Sequence, residues 1–121
     1  MPPRADDDAR LRHMLQYAEM ASLFTRGRHR RDLDDDSLFE LGTRKALEIV
    51  GEAAAQITEN TRLRHPEVPW AKIVGLRNRL VHGYDVIDHD ILWSVLAVDL
   101  PPVVAALRPI IAAAPKPPDA A

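Results

Sequence analysis

The sequence predicts an all-α fold, an antiparallel bundle of four to five helices, and three observations carry that prediction. The apolar fraction is 46% but aromatics supply only 5%, so Ala, Leu, Val and Ile dominate, which favours packed helices over a sheet sandwich. Apolar residues recur at helical spacing in successive segments. Aspartates and prolines stand where helices start and stop. A chain of 121 residues fits one domain, and folding at that size removes roughly two thirds of the unfolded surface from water. A hydrophobic core is therefore within reach.

The elements follow in order. Asp6, Asp7 and Asp8 place negative charge at a helix start, and Leu11, Leu15, Ala18, Ser22 and Leu23 continue at helical spacing, predicting a first helix over 6–25. The basic run Arg26 to Arg31 is answered at once by Asp32, Asp34, Asp35 and Asp36, and reads as a solvated connection. From Asp34 to Arg64 the pattern predicts one long helix, capped by Asp34, Asp35 or Asp36, with Phe39, Ala46, Ile49, Val50, Ala53 and Ile57 along one side. Pro66 and Pro69 end it. Pro69 opens a third helix, Trp70 to His82, with Gly83 placed to stop it. Asp85 or Asp88 caps a fourth helix beginning near Asp88. Pro101-Pro102 must kink or break that helix, since neither carries an N–H and both rings crowd the preceding turn, leaving room for a fifth short helix from Pro102 to Ala112. The domain is expected over 6–113, with flexible termini at 1–5 and 114–121. Short connections imply antiparallel packing.

Composition excludes several function classes. No cysteine is present, which rules out disulfides and thiolate metal sites. Sixteen basic against eighteen acidic residues give a formal net charge of −2, so no global positive field gathers nucleic acid, and any RNA contact must be local. The N-terminus is polar, and no stretch reaches about 18 uninterrupted apolar residues. A cytoplasmic protein without membrane association is expected.

The segment Arg77 to Tyr84 does not fit a plain bundle. On a helix, Ile73, Val74, Leu76, Leu80 and Val81 cover one arc of roughly 160°. Arg77 projects from inside that arc, where an arginine needs a partner or an interface. Asn78 and His82, four apart, stack beside the arc. His82 in the last turn meets the negative helix end, which favours imidazolium. Five apart on one helix, Arg77 and His82 point roughly 140° away from each other. Two copies packed near these helix ends would place both pairs around one cleft, so a homodimer with a shared site is expected. The same residues also compose an ordinary helix end, with a snorkelling arginine, a histidine in the last turn and a glycine stop.

The surrounding sequence adds a resemblance. The run Trp70-Ala71-Lys72-Ile73-Val74-Gly75-Leu76-Arg77-Asn78-Arg79-Leu80-Val81-His82-Gly83-Tyr84 resembles the signature of HEPN-domain ribonuclease toxins of the HepT type. So do Arg44 to Ala54 upstream, His65-Pro66-Glu67-Val68-Pro69 between, and Asp99-Leu100-Pro101 after, and the similarity spans roughly residues 8 to 112. It implies a homodimeric, all-helical, HEPN-like endoribonuclease that works without metal as the toxin of a toxin–antitoxin pair. Its antitoxin partner would be a minimal nucleotidyltransferase. The family motif, Arg with a following polar residue, then His and Tyr, falls on Arg77, Asn78, His82 and Tyr84. The resemblance also implies neutralisation by AMP transfer from the partner onto Tyr84. This sequence departs from the pattern in its basic Arg26 to Arg31 connection and in the doubled Pro101-Pro102.

The chemistry expected is attack of a ribose 2′-hydroxyl on the adjacent phosphorus, with His82 as base, Arg77 on the non-bridging oxygens and Asn78 orienting the phosphate or the imidazole. Glu52 borders the apolar arc of the long helix, one turn from Glu48. It either pairs with Arg77 and fixes the guanidinium or stands as a solvated helix charge. Asp85, Asp88 and His89 beside His82 hint at a metal site, but the aspartates are better explained as turn and cap residues, so no metal or cofactor is expected. His13, His29 and His65 show no partner pattern, and Trp70 and Trp93 fit the core. The alternatives are a non-catalytic dimerisation or nucleotide-binding module that uses Arg77 and His82 to hold a phosphate or a partner protein, and a purely structural partner of a nucleotidyltransferase.

Overall fold

The computed structural model describes residues 5–81 and 86–114. They form an all-α bundle without β-strands, in the order α1 (Ala5–Thr25), α2 (Asp32–Asp35), α3 (Ser37–Gln56), α4 (Glu59–Arg64), α5 (Trp70–Val74), α6 (Leu76–Leu80), α7 (His89–Ser94), a π-helical turn (Val95–Asp99) and α8 (Leu100–Ala113). The all-helical prediction therefore holds.

The central seam joins α1 to α3. Ala18 and Ala21 of α1 and Ala46, Ala53 and Ala54 of α3 are buried, and such small side chains let two helix backbones approach closely. Met14, Leu47 and Val50 fill the remaining space, and α8 closes the far side of α1 through Val103, Val104 and Leu107. The helices α5 and α6 also pack against α3.

The connection after α1 turns through Gly27, whose φ of 76° is the left-handed conformation that glycine adopts without strain. Arg28 pairs with Asp36 at 3.0 Å and sits over the Phe39 ring, 4.7 Å from its centroid. Arg30 pairs with Asp34 at 3.0 Å and Asp90 at 2.7 Å. The aspartates that follow the basic run thus occupy two of its arginines.

Three of the predicted helices have bounds other than those the sequence predicts. The long helix Asp34 to Arg64 is three pieces. Asp36 is extended, accepts from the Phe39 N–H at 3.1 Å and opens α3. Ile57 and Thr58 are also extended and separate α3 from α4. The cause of the second break lies outside the segment: Asp7 of α1 accepts from the Thr58 N–H at 3.2 Å, the Thr58 hydroxyl at 2.6 Å and the Thr61 hydroxyl at 2.6 Å. Arg62 then donates to the Ala54 carbonyl at 3.0 Å, satisfying the end of α3.

The third helix, predicted over Trp70 to His82, is α5 and α6 divided at Gly75, and it ends at Leu80. Val81 is extended, with φ −83° and ψ 121°, and pairs with Ile87 in an isolated antiparallel bridge. The Asp88 N–H donates to the Leu80 carbonyl at 3.0 Å, so the chain leaving α6 returns directly to its end. Pairing of two β-branched residues here outweighs continuation of a helix already interrupted by glycine.

The proline pair does not stop the last helix. Without N–H groups, Pro101 and Pro102 leave the carbonyls four residues earlier without helical donors. The backbone widens to a π-turn, in which the Leu100 N–H reaches the Val95 carbonyl. Helix α8 starts at Leu100, two residues before the predicted Pro102, with both prolines in its first turn. The run His89–Ala113 is long and apolar enough to cross a bilayer by length and composition. Its residues Leu92, Val95, Leu96, Leu100, Val103, Val104 and Leu107 lie in the domain core.

Candidate functional site

A groove of about 290 Å³ runs between α3 and the α5–α6 pair. Its floor is apolar, from Leu47, Ala55, Val74, Leu76 and Leu80, and its polar groups are Glu48 and Glu52 on one wall and Arg77 on the other. Gly51 lies at the closest approach of the two walls, where an added Cβ would stand 3.3 Å from the Ile73 carbonyl oxygen. A side chain at this position would require α5 to give by a few tenths of an ångström.

Arg77 is exposed on α6, while Leu76 and Leu80 beside it are buried. Among the described residues no hydrogen bond or ion pair ties its guanidinium. Glu52 is exposed on α3 and shares the groove with Arg77, but no ion pair joins them among the described residues. Glu48 has Lys45 3.9 Å away. Asn78 is exposed on α6 and does not line the groove. His82 and Tyr84 lie outside the described residues, as do Gly83 and Asp85. Helix α6 ends at Leu80 and Val81 is extended, so the helical phase expected to run from Arg77 through the last turn stops before residue 82.

The other polar candidates have structural occupations. Asp88 caps α7, accepting from the Asp90 N–H at 2.9 Å and the Ile91 N–H at 3.2 Å. His89 Nδ1 meets Asp34 at 2.7 Å, and that contact together with Arg30 holds the Asp34 carboxyl below the usual carboxylate range. His65 Nδ1 lies 3.3 Å from Glu67. His13 is exposed and packs edge-on against Tyr17. The buried Trp70 indole donates to the His65 carbonyl at 3.0 Å, and Trp93 packs against the core.

Sequence reasoning missed Asp99. Its Oδ1 accepts from Lys72 Nζ at 3.0 Å and its Oδ2 from Arg79 Nη1 at 3.0 Å. Burial pushes its carboxyl up, but the two cations outweigh burial and hold it below the ordinary carboxylate value. Two signals were present in the sequence: Lys72 and Arg79 are seven apart, hence on one helical face, and Asp99 is the lone charge in the run from Ile91 to Leu107.

A family model described as ribonuclease HepT-like matches residues 14–110. The chain belongs to this family. A Methanocaldococcus jannaschii protein provisionally named an RNase is 34% identical over 100 residues, covering 83% of this chain and 92% of that protein. A Thermococcus cleftensis protein provisionally named ribonuclease HepT is 32% identical over 91 residues, covering 75% of this chain and 83% of its own length. A third relative, from Caldanaerobacter subterraneus and also provisionally named an RNase, is 31% identical over 91 residues, or 75% of this chain and 81% of that one. No solved structure matches the chain. Within the HepT-like match fall Arg77, Asn78, His82, Tyr84 and both walls of the groove.

Proposed function

We propose that this chain is an endoribonuclease that cleaves RNA without a metal ion, at the groove where Arg77 emerges, in a dimer whose two copies share the site. The observation that carries this reading is Arg77 itself: an exposed guanidinium, without a partner among the described residues, at the edge of an apolar groove in a HepT-like ribonuclease fold. A planar cation so placed is suited to two non-bridging phosphate oxygens.

In the step proposed, His82 takes the proton of a ribose 2′-hydroxyl and that oxygen attacks the neighbouring phosphorus. The bond from phosphorus to the 5′-oxygen breaks, and the leaving oxygen is protonated by His82 of the second copy. The products are a 2′,3′-cyclic phosphate and a 5′-hydroxyl. Arg77 neutralises charge that builds on the phosphorane oxygens, and Asn78 orients the phosphate or the imidazole. Dependence on the 2′-hydroxyl makes the activity specific for RNA.

The proposal extends to a cytoplasmic toxin silenced by a minimal nucleotidyltransferase that transfers AMP to Tyr84. Added negative charge beside the motif would compete with RNA for Arg77. Co-expression with the cognate nucleotidyltransferase should raise the intact mass in multiples of AMP, and Tyr84→Phe should abolish the increase.

The carboxylates Glu48 and Glu52 across the groove from Arg77 favour a second reading, a binding module whose groove takes a partner protein, since they repel a polyanion. Incubation with RNA in the presence of a chelator separates the two. Cleavage with cyclic phosphate ends supports the first, and intact RNA with a protein complex supports the second.

A further inference from the structure

Asp99 is half-hidden at the head of α8, its side chain 14% exposed, in a segment with no other charge from Ile91 to Leu107. Its two cations come from different helices: Lys72 belongs to α5 and Arg79 to α6, with the Gly75 interruption between them. One carboxylate therefore spans the break. A five-residue helix such as α6 has little stability of its own, so its rotation must be set by what it touches. The apolar grip of Leu76 and Leu80 supplies the burial, and the Asp99 contact supplies direction.

Arg79 follows Arg77 by two residues, roughly 200° around the helix, so the two arginines leave α6 on opposite faces. Fixing Arg79 against Asp99 turns Arg77 toward the groove. The π-turn takes part in this. It ends at Asp99, ahead of the proline pair, and its extra residue per turn sets where the carboxylate faces α5 and α6.

We propose that Asp99 is a positioning residue for Arg77, locking the rotation of α6 through Arg79 and Lys72 so that the guanidinium stands at the groove. Its kinetic consequence rests on the ribonuclease reading above. Lys72 and Arg79 are half exposed, so these pairs add little to global stability, and the effect falls on geometry.

The test compares wild-type protein with Asp99→Asn, Asp99→Glu and the Lys72→Met/Arg79→Met double variant, by steady-state cleavage of a fluorescent RNA and by hydrogen exchange of 70–81. Displacement of a catalytic group by about 1 Å can cost about 10²-fold. Asp99→Asn should lower kcat at least ~10-fold with KM within about 2-fold and speed amide exchange in α6. Asp99→Glu should recover part of the rate. The double variant should reproduce the kcat loss, and adding Asp99→Asn to it should change nothing further. Wild-type kcat in Asp99→Asn, or a loss that lies in KM because the cations bind RNA themselves, overturns the proposal. Should Asp99→Asn not fold, the double variant, altered only at half-exposed side chains, decides it. Should wild-type protein not cut RNA, the ribonuclease reading fails, and exchange alone then decides: unchanged protection of α6 in Asp99→Asn overturns the positioning role.

Discussion

Replacing Asp7 by alanine removes the acceptor that organises the junction between α3 and α4. Asp7 is 1% exposed, and its carboxylate takes three hydrogen bonds, from the Thr58 N–H at 3.2 Å and from the hydroxyls of Thr58 and Thr61, each at 2.6 Å. Hydrogen bonds to a charged group contribute roughly 1.5–3 kcal/mol each. Their sum overstates the loss, because the native state has already desolvated the carboxylate and the two hydroxyls, 3.3 Å apart, can turn to each other. The unsatisfied Thr58 N–H remains, equivalent to a lost helix cap, and the net expectation is about 2–4 kcal/mol. For a domain of this size that lowers Tm by roughly 8–15 °C.

The pH dependence gives an independent check. Burial pushes the Asp7 carboxyl up, but the hydrogen bonds from Thr58 and Thr61 outweigh it, so its folded value lies below the ordinary 3.8. A depressed carboxylate contributes stability that is fully present above its unfolded value and is lost as pH falls through the folded one. The Tm gap between wild type and Asp7→Ala should therefore be constant from neutral pH to about pH 5 and narrow below 3.8. Thermal melts followed by circular dichroism between pH 7 and pH 3 measure it. A gap below about 2 °C at pH 7, or one that widens in acid, would refute the reasoning.

Arg77→Ala should reduce cleavage about 10²- to 10³-fold and His82→Ala about 10²- to 10⁴-fold, in single-turnover assays on proteins whose oligomeric state is matched to wild type by light scattering. Leu92 is fully buried, and Leu92→Ala should cost about 2–5 kcal/mol in a urea titration with an unchanged slope. The Pro101→Ala/Pro102→Ala pair restores two backbone donors, so the π-turn should relax toward ordinary helix. Protection of both new amides from exchange, and a fall in kcat from displacement of Asp99, would register the change. Retention of the π-turn in a crystal structure of that variant would show that the prolines do not cause it.

The helical class was legible because it follows from composition and periodicity, which act locally, and the first helix and the Asp88 cap were readable for the same reason. What escaped depended on residues far apart in the chain. The long helix breaks at Thr58 because of Asp7, which stands 51 positions earlier, and apolar periodicity through Ile57 conceals it. Helix α6 ends at Leu80 because Val81 finds Ile87, although Gly83 is the stronger stop signal by type. Arg77, expected inside the apolar arc of its helix, is exposed next to an exposed Val74, since only Ile73, Leu76 and Leu80 of that arc are buried. The partner considered for it, Glu52, shares its groove but forms no ion pair with it among the described residues. Asp99 lay inside a recognised block, yet its role became visible only once the fold brought the π-turn beside Lys72 and Arg79. Pro101-Pro102 signalled trouble in the last helix without specifying that a widened turn would absorb it.

The most direct test of the central claim is product analysis after incubating the purified protein with a defined RNA in excess chelator. Wild-type protein should yield fragments ending in 2′,3′-cyclic phosphate and 5′-hydroxyl, with none from a matched substrate lacking the 2′-hydroxyl, and Arg77→Ala should leave the RNA intact on the same timescale. Intact RNA with the wild type, cleavage only after a divalent metal is restored, or equal cleavage by Arg77→Ala would contradict the account.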